Sequence, residues 1–201
     1  MPTFGETQSL GFYLQNIGYY FGISDNFDLL LAGDIYTRGS WAIKAESNYV
    51  FRYKCAGKIR AEYGQKYLGE KLIDSTYYHT NDFKIYWDHK QDIKSHPYTR
   101  FNAHVDIVSS NYSRYNMTST ADYLSNQYTS SLNVSTSLKD VFFMDATLSY
   151  SQNTNTHDVN LKLPDINMSV VQFYPFRKKN KVGSLKWYDN ISLKWTSQLT
   201  G

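Results

Sequence analysis

The side chains best suited to specific chemistry in this sequence are clustered cations. One set lies on predicted strands, and a second set forms a short run further towards the C-terminus. Clustered cations suit multivalent anions such as phosphate groups, because Lys and Arg donate charge-assisted hydrogen bonds. Two alternatives stay open: the strand cations keep a polar surface hydrated and balance Glu46 and Glu62, and the run is a solvated hairpin loop. The candidate anion contacts are Lys44, Arg52, Lys58 and Arg60 on the strands, and Arg177, Lys178, Lys179 and Lys181 in the run.

The sequence offers no catalytic or metal-binding constellation. A single cysteine, Cys55, excludes an internal disulfide framework and any cysteine-cluster metal site. The five histidines lack the close spacing of metal ligands, and there is neither a G-x-S-x-G elbow nor a nucleophile placed beside a base. A formal charge of +3, with cations and acids well mixed, argues against nucleic acid. We therefore expect no enzymatic activity, no cofactor, no metal and no nucleic-acid partner.

The strand cations are positioned by strict period-two alternation. From Trp41 to Lys54 one face carries rings and aliphatic side chains such as Ile43, and the other carries polar ones such as Lys44. A tight turn is predicted at Cys55–Gly57, after which the alternation resumes and places Arg60 on the polar face. The pattern predicts a hairpin of two long amphipathic strands.

The same alternation recurs along the chain and predicts about eleven strands, with no helical stretch long enough for a parallel crossover. The predicted fold class is all-β, an antiparallel meander of long amphipathic strands in a single unit over residues 1–201. A mean hydropathy of −0.54 beside 17% aromatic residues suits strands with one wet and one apolar face. Pro164-Asp165 is predicted to form a short turn, and Pro175–Ser184 a long connection at the opposite end of the sheet.

Alternation fits both a soluble sandwich and a membrane barrel, since both need one dry face. Three features favour the barrel. Several predicted strands exceed the usual five or six residues and match the roughly 9–11 that cross a bilayer at a tilt. Polar faces carry mixed charges, and Tyr and Trp recur near strand ends, where interfacial girdles need them. Predicted connections are mostly short on one side and long on the other, as in outer-membrane proteins.

Residues 18–60 read GYYFGISDNFDLLLAGDIYTRGSWAIKAESNYVFRYKCAGKIR. The Tyr19-Tyr20 pair, the Asn26-Phe27-Asp28 strand entry, the run Asp34–Gly39 and the aromatic strand ending in Tyr53 resemble the barrel of the LptD family of lipopolysaccharide-assembly proteins. Two later segments add to the resemblance: Phe83–Asp92, and Leu163–Phe176 with Lys178 and Lys179.

This resemblance implies a segment of a very large transmembrane β-barrel in the cell outer membrane. Such a barrel receives lipopolysaccharide from a periplasmic bridge protein, holds a plug lipoprotein in its lumen, and releases lipid A sideways into the outer leaflet through a seam between its first and last strands. The strand cations would then contact the glycolipid from the lumen, and the C-terminal run its phosphates. A generic porin or receptor barrel is the alternative, and behind it a soluble glycan-binding β-sandwich.

The sequence departs from the family pattern at the seam. Family members often carry prolines on the first two strands, and Gly18 and Gly33 stand in those places here. Glycine weakens strands through lost packing and backbone entropy, so both residues are lateral-seam candidates. We also expect a fragment, the N-terminal portion of the barrel domain, because a signal peptide, the periplasmic domain and the closing strands are missing. Loop lengths and the expected entry of the first strand from the periplasm give opposite orientations, which leaves the extracellular side open.

Overall fold

In the residues that the structure describes, eleven antiparallel strands form one sheet in chain order, and every strand except the first and the last is hydrogen-bonded to the strand before and the strand after it. The computed structural model describes residues 1–8, 10–68, 78–109, 112, 127–138, 141–154, 156–176 and 186–200. The predicted all-β meander is confirmed. The strands are β1 (Thr3–Thr7), β2 (Gly11–Ser24), β3 (Phe27–Tyr36), β4 (Trp41–Phe51), β5 (Cys55–Leu68), β6 (Tyr78–Gln91), β7 (Thr99–Val108), β8 (Gln127–Leu138), β9 (Phe142–Asn153), β10 (Val159–Phe173) and β11 (Leu193–Leu199), with one 3-10 turn at Trp187–Asn190.

Cross-strand pairing carries the alternation of each strand across the sheet. Lys44 pairs with Glu62 and Glu62 with Lys84, so charged residues form a row on one face. One position along, Ile43 pairs with Tyr63, which in turn pairs with Phe83, and an apolar row occupies the other face. We call these the polar face and the apolar face. Because the side-chain period is two, the register keeps both rows continuous.

The apolar face has no second layer packed against it within the described residues. Ile43 is 57% exposed and Ile85 is 46% exposed. Only four hydrophobic side chains in the described part of the chain are buried, which is far fewer than a sandwich core requires. The buried four are Tyr36, Ala103, Val108 and Tyr128.

The turn after β4 lies three residues earlier than predicted. β4 ends at Phe51, and residues 52–54 form the turn, with Lys54 N–H donating to the Phe51 carbonyl at 2.9 Å. Tyr53 adopts φ 61° there, a left-handed conformation that side-chain patterns do not reveal. The prediction that Cys55–Gly57 forms the turn is wrong, because these residues already belong to β5.

The predicted turn at Pro164-Asp165 is also wrong. β10 runs through these residues, and the register with β9 shifts between Lys162 and Asp165, so Pro164 sits in a bulge. A bulge tolerates a residue that has no N–H to donate. Because β10 is one strand and not two, the chain leaves it at the opposite end of the sheet from the one predicted. The segment after Phe173 therefore starts at the end that carries the short turns. Strand β1 was not predicted, although the total of eleven agrees.

Candidate functional site on the polar face

Opposite charges on neighbouring strands pair along the polar face. Lys44 on β4 lies 2.8 Å from Asp34 on β3. Glu46 on β4 contacts both Lys58 and Arg60 on β5, at 2.6 and 2.8 Å. Each of these three cations therefore already has a carboxylate partner, and any anionic ligand has to compete with it. The same arrangement continues on β6 and β7 with Lys84–Asp106 at 3.7 Å and His104–Asp88 at 3.3 Å.

A β-bulge in β2 joins this network. The register between β2 and β3 shifts between Leu14 and Ile17, and Asn16 has φ 56°. The Asn16 backbone N–H donates to the Asp34 carboxylate at 2.8 Å, and the Lys44 ammonium donates to the Asn16 side-chain oxygen at 3.3 Å. Asp34 is only 5% exposed, so its carboxylate depends on these partners to offset lost hydration. The bulge is thereby tied to both β3 and β4.

A concavity of about 220 Å³ opens on the polar face between β2 and β5. Its walls differ in chemistry, because Leu30 and Ala32 on β3 are apolar while Lys44 and Arg60 carry charge. The site can therefore contact an amphipathic molecule, with cations for an anionic group and an apolar wall beside them. The full lining is Asn16, Leu30, Ala32, Lys44, Glu46, Arg60 and Glu62.

Tyr112, from the connection after β7, contacts Glu62, one of the residues that line this concavity. Its hydroxyl donates a hydrogen bond to the Glu62 carboxylate, 50 residues away in sequence. The ammonium of Lys84 lies 5.6 Å from the centre of the Tyr112 ring. Burial, followed by the hydrogen bond from the hydroxyl to Glu62, raises the pKa of Tyr112. The Tyr112 hydroxyl therefore stays neutral and donates a hydrogen bond to Glu62. Glu62 on β5 is the cross-strand partner of Lys44 on β4.

The structure brings three of the four predicted strand cations together. Lys44, Lys58 and Arg60 share the polar face. Arg52 does not, because it lies in the turn after β4, where its guanidinium is 4.9 Å from the centre of the Tyr53 ring. The predicted loop cations Arg177, Lys178, Lys179 and Lys181 lie outside the described residues.

The two seam candidates occupy adjacent strands but opposite faces. Gly18 on β2 pairs with Ala32, whereas Gly33 on β3 pairs with Ile17. A Cβ at Gly18 would meet the Leu31 carbonyl and would lie 2.8 Å from the Ala32 Cα, so only glycine fits there without a backbone shift. A Cβ at Gly33 would make an ordinary contact of 3.4 Å with the Ala42 carbonyl. The close approach of β2 and β3 therefore explains why glycine occupies position 18, in addition to any weakening of the strand.

Strand β2 is incompletely paired on its outer side. β1 covers only Gly11–Gln15, so from Asn16 to Ser24 the sole strand neighbour of β2 within the described ranges is β3. This stretch carries exposed rings such as Tyr19 and Tyr20 on both faces. An unpaired strand edge presents free backbone donors and acceptors to another strand.

Asn16 and Asp34 were not predicted as site residues. A signal for them is present in the sequence, because the apolar positions 12 and 14 continue at 17, 19, 21 and 23. This change of parity at two successive polar residues, Gln15 and Asn16, is what a bulge produces. Asp34 is recognisable only after the bulge is known, since its role is to hold the backbone there.

Two further features are absent from the described part of the chain. Over the residues that the structure describes, no group of three His, Cys, Asp or Glu side chains comes together as a metal site. In the same residues no helix is long and apolar enough to span a membrane.

Comparison with known proteins gives one family. The sequence pattern of the family described as LptD protein matches residues 1–201. Curated relatives named LPS-assembly protein LptD, from Burkholderia cenocepacia, Burkholderia orbicola and Burkholderia lata, are 34% identical over 91 residues. The match covers 45% of this chain, and it spans 10% of the length of each relative.

Proposed function

Because the chain belongs to the LptD protein family, we propose that it is part of an outer-membrane β-barrel that assembles lipopolysaccharide at the cell surface. The relatives' name, LPS-assembly protein, supports this role. An assembly role also agrees with the expectation that the chain is not an enzyme. The native partners in this proposal are lipopolysaccharide and the outer-membrane bilayer.

The observation that carries the proposal is the division of one continuous sheet into two chemically different faces. Strands β2 to β7 are 10 to 14 residues long, and about 9–11 residues cross a bilayer at a tilt. Exposed apolar side chains on one face suit lipid, and paired charges on the other suit a hydrated lumen. A soluble sandwich would bury the apolar face, and the described residues include no layer that does so.

Lipopolysaccharide joins sugars and phosphates to acyl chains, and the concavity between β2 and β5 has matching chemistry. Lys44 and Arg60 offer donors to phosphate, and Leu30 and Ala32 offer an apolar wall. Lateral release at β2, with Gly18 and Gly33 near the seam, extends the proposal and is supported by the incomplete pairing of β2 after Gln15. The plug lipoprotein and the periplasmic bridge protein complete it as proposed partners of the whole protein.

Depletion of the full-length protein tests the main proposal. We expect loss of surface lipopolysaccharide, restored by a plasmid copy of the wild-type gene. Intact surface lipopolysaccharide with impaired solute uptake would instead identify a porin. Release of the protein from membranes without detergent would identify a soluble sandwich.

The contact at the concavity is tested by a photoreactive amino acid at Leu30 in the full-length protein. We expect crosslinks to lipopolysaccharide. The crosslinking yield should be about fivefold lower in Arg60→Gln, because loss of one cation weakens phosphate binding by about that factor. Arg38→Gln is the matched control, because Arg38 lies in the turn between β3 and β4, outside this lining. Equal yields in all three proteins would favour the alternative that these charges only keep the lumen hydrated.

A further inference from the structure

Four aromatic rings form a continuous cluster on the apolar face near the short turns. The Tyr49 hydroxyl lies 2.6 Å from His89 Nδ1 and accepts a hydrogen bond from Trp87 Nε1 at 3.0 Å. Phe101 on β7 extends the cluster, with ring centres 5.4 Å from His89 and 6.3 Å from Trp87. We call Tyr49, Trp87, His89 and Phe101 the aromatic belt. Amphipathic rings of this kind prefer the boundary between hydrocarbon and water.

The belt crosses β5 because that strand carries a glycine at this level. Gly57 pairs with both Tyr49 and His89, and a Cβ on it would collide with the Tyr49 ring. The ring therefore lies over the β5 backbone and joins β4 to β6. The belt is thus fixed in place across four strands at a single height on the sheet.

Exposed cations lie immediately beyond the belt, in two neighbouring turns. The turn after β4 contains Arg52 and Lys54, and the turn after β6 contains Lys94. Asp92 N–H donates to the Lys54 carbonyl at 2.8 Å and joins the two turns. We call Arg52, Lys54 and Lys94 the basic rim.

Two of the rim cations converge on one ring. The Arg52 guanidinium and the Lys94 ammonium each lie 4.9 Å from the centre of the Tyr53 ring, which is 50% exposed. The two charges are therefore at most about 10 Å apart, within a Debye length at 0.1 M salt, and repel each other. An anion between them would relieve that repulsion.

The rim differs from the polar face in its pairing. Lys44, Lys58, Arg60 and Lys84 each have a carboxylate within 4 Å. Among the described residues no rim side chain has one. The nearby Asp92 carboxylate instead accepts the backbone N–H of Lys94 at 2.8 Å. Within the described residues, the rim thus places three cations without a carboxylate partner beside the aromatic belt.

From this arrangement we infer that the basic rim binds the phosphate groups of anionic phospholipids at one boundary of the bilayer, with the aromatic belt at the level of the headgroups. The inference rests on the proposed function, since it requires the sheet to span a membrane. It assigns Arg52 to the membrane surface instead of the lumen. It also places one boundary of the bilayer along the strands. The hydrocarbon region begins at Tyr49 and Trp87 and extends away from the turns.

Native mass spectrometry of the full-length protein tests the inference, with micelles that contain phosphatidylglycerol or phosphatidylcholine. We expect the wild type to retain more phosphatidylglycerol. The ratio of the two bound lipids should fall about fivefold for each charge removed in Arg52→Gln and Lys94→Gln. Lys94→Arg, which keeps the charge, should retain the preference.

Arg38→Gln is the matched control, because Arg38 lies in the turn between β3 and β4 at the opposite end of the sheet. An unchanged ratio in the rim variants, or an equal fall in Arg38→Gln, would overturn the inference. Loss of the preference in millimolar inorganic phosphate would do the same, because it would identify a site for free phosphate. A wild type that supports lipopolysaccharide assembly but shows no lipid preference overturns this inference alone, whereas one that does not insert into bilayers overturns the proposed function as well.

Discussion

Asp34 accepts a hydrogen bond from the backbone N–H of Asn16 at 2.8 Å, and this contact holds the bulge of β2 against β3. The same carboxylate pairs with Lys44 on β4. One buried side chain thus links three strands at the point where β1 stops covering β2. Its two interactions are separable by substitution.

Two substitutions of Asp34 should therefore lower the free energy of unfolding by different amounts. Asp34→Asn keeps an acceptor for the Asn16 amide but removes the charge opposite Lys44, and should cost about 1 kcal/mol. Asp34→Ala removes both interactions and should cost about 2–3 kcal/mol. Urea unfolding of the full-length protein in detergent measures both. Asp25→Asn, an exposed turn position in the same hairpin, is the control and should change little. Equal losses in the two Asp34 variants would assign the effect to charge alone.

A methyl group at Gly57 should displace the Tyr49 ring from its position over β5. We expect Gly57→Ala to lower the unfolding free energy by about 1–3 kcal/mol, the usual cost of overpacking. In a Tyr49→Ala background the cost should be smaller but should not vanish, since the added Cβ would still lie 2.5 Å from the Asp88 carbonyl oxygen on β6. Gly22→Ala provides the control, because a Cβ there has its nearest neighbour 4.0 Å away. An equal cost in both backgrounds would show that the Asp88 carbonyl, not the Tyr49 ring, requires the glycine.

Alanine should have opposite consequences at the two seam candidates. At Gly18 a Cβ forces β2 away from β3, and we expect a loss of about 1–3 kcal/mol. At Gly33 the contact is ordinary, and a gain of up to about 1 kcal/mol follows from the smaller entropy of the unfolded chain. Unfolding midpoints and surface lipopolysaccharide are measured together. Stabilisation by Gly18→Ala with slower lipopolysaccharide export would support the alternative that this glycine loosens the seam.

A charge on the apolar face tests whether that face contacts lipid. Ile85 is partly exposed in the middle of β6. In a bilayer, Ile85→Lys should cost about 2–4 kcal/mol, because lysine near the midplane loses its hydration. Tyr86→Lys places the same charge on the polar face one residue away and should be far milder. Folding yield into vesicles, followed by heat-dependent gel mobility, compares the two variants. Similar yields would argue that Ile85 faces water.

The sequence was sufficient for the fold class and for the sorting of residues between the faces. Ile43 and Lys44 could be assigned to opposite faces because side-chain alternation is a property of each strand by itself. The positions of the turns could not be predicted as well from the sequence. The first predicted turn lies three residues earlier, where Tyr53 adopts a left-handed conformation, and the second is a bulge at Pro164 within β10. Neither feature depends on the hydrophobic pattern.

Contacts between strands were decided by the tertiary structure. Strand register places Asp34 against Asn16, Tyr49 over Gly57, and Glu46 between Lys58 and Arg60. The approach of two separate turns brings Lys94 to the ring that Arg52 already contacts, so a cation predicted to face the lumen lies at the rim. The sequence by itself thus determined which residues are apolar, polar and alternating. Their partners depended on pairings between distant segments, which a local period of two does not specify.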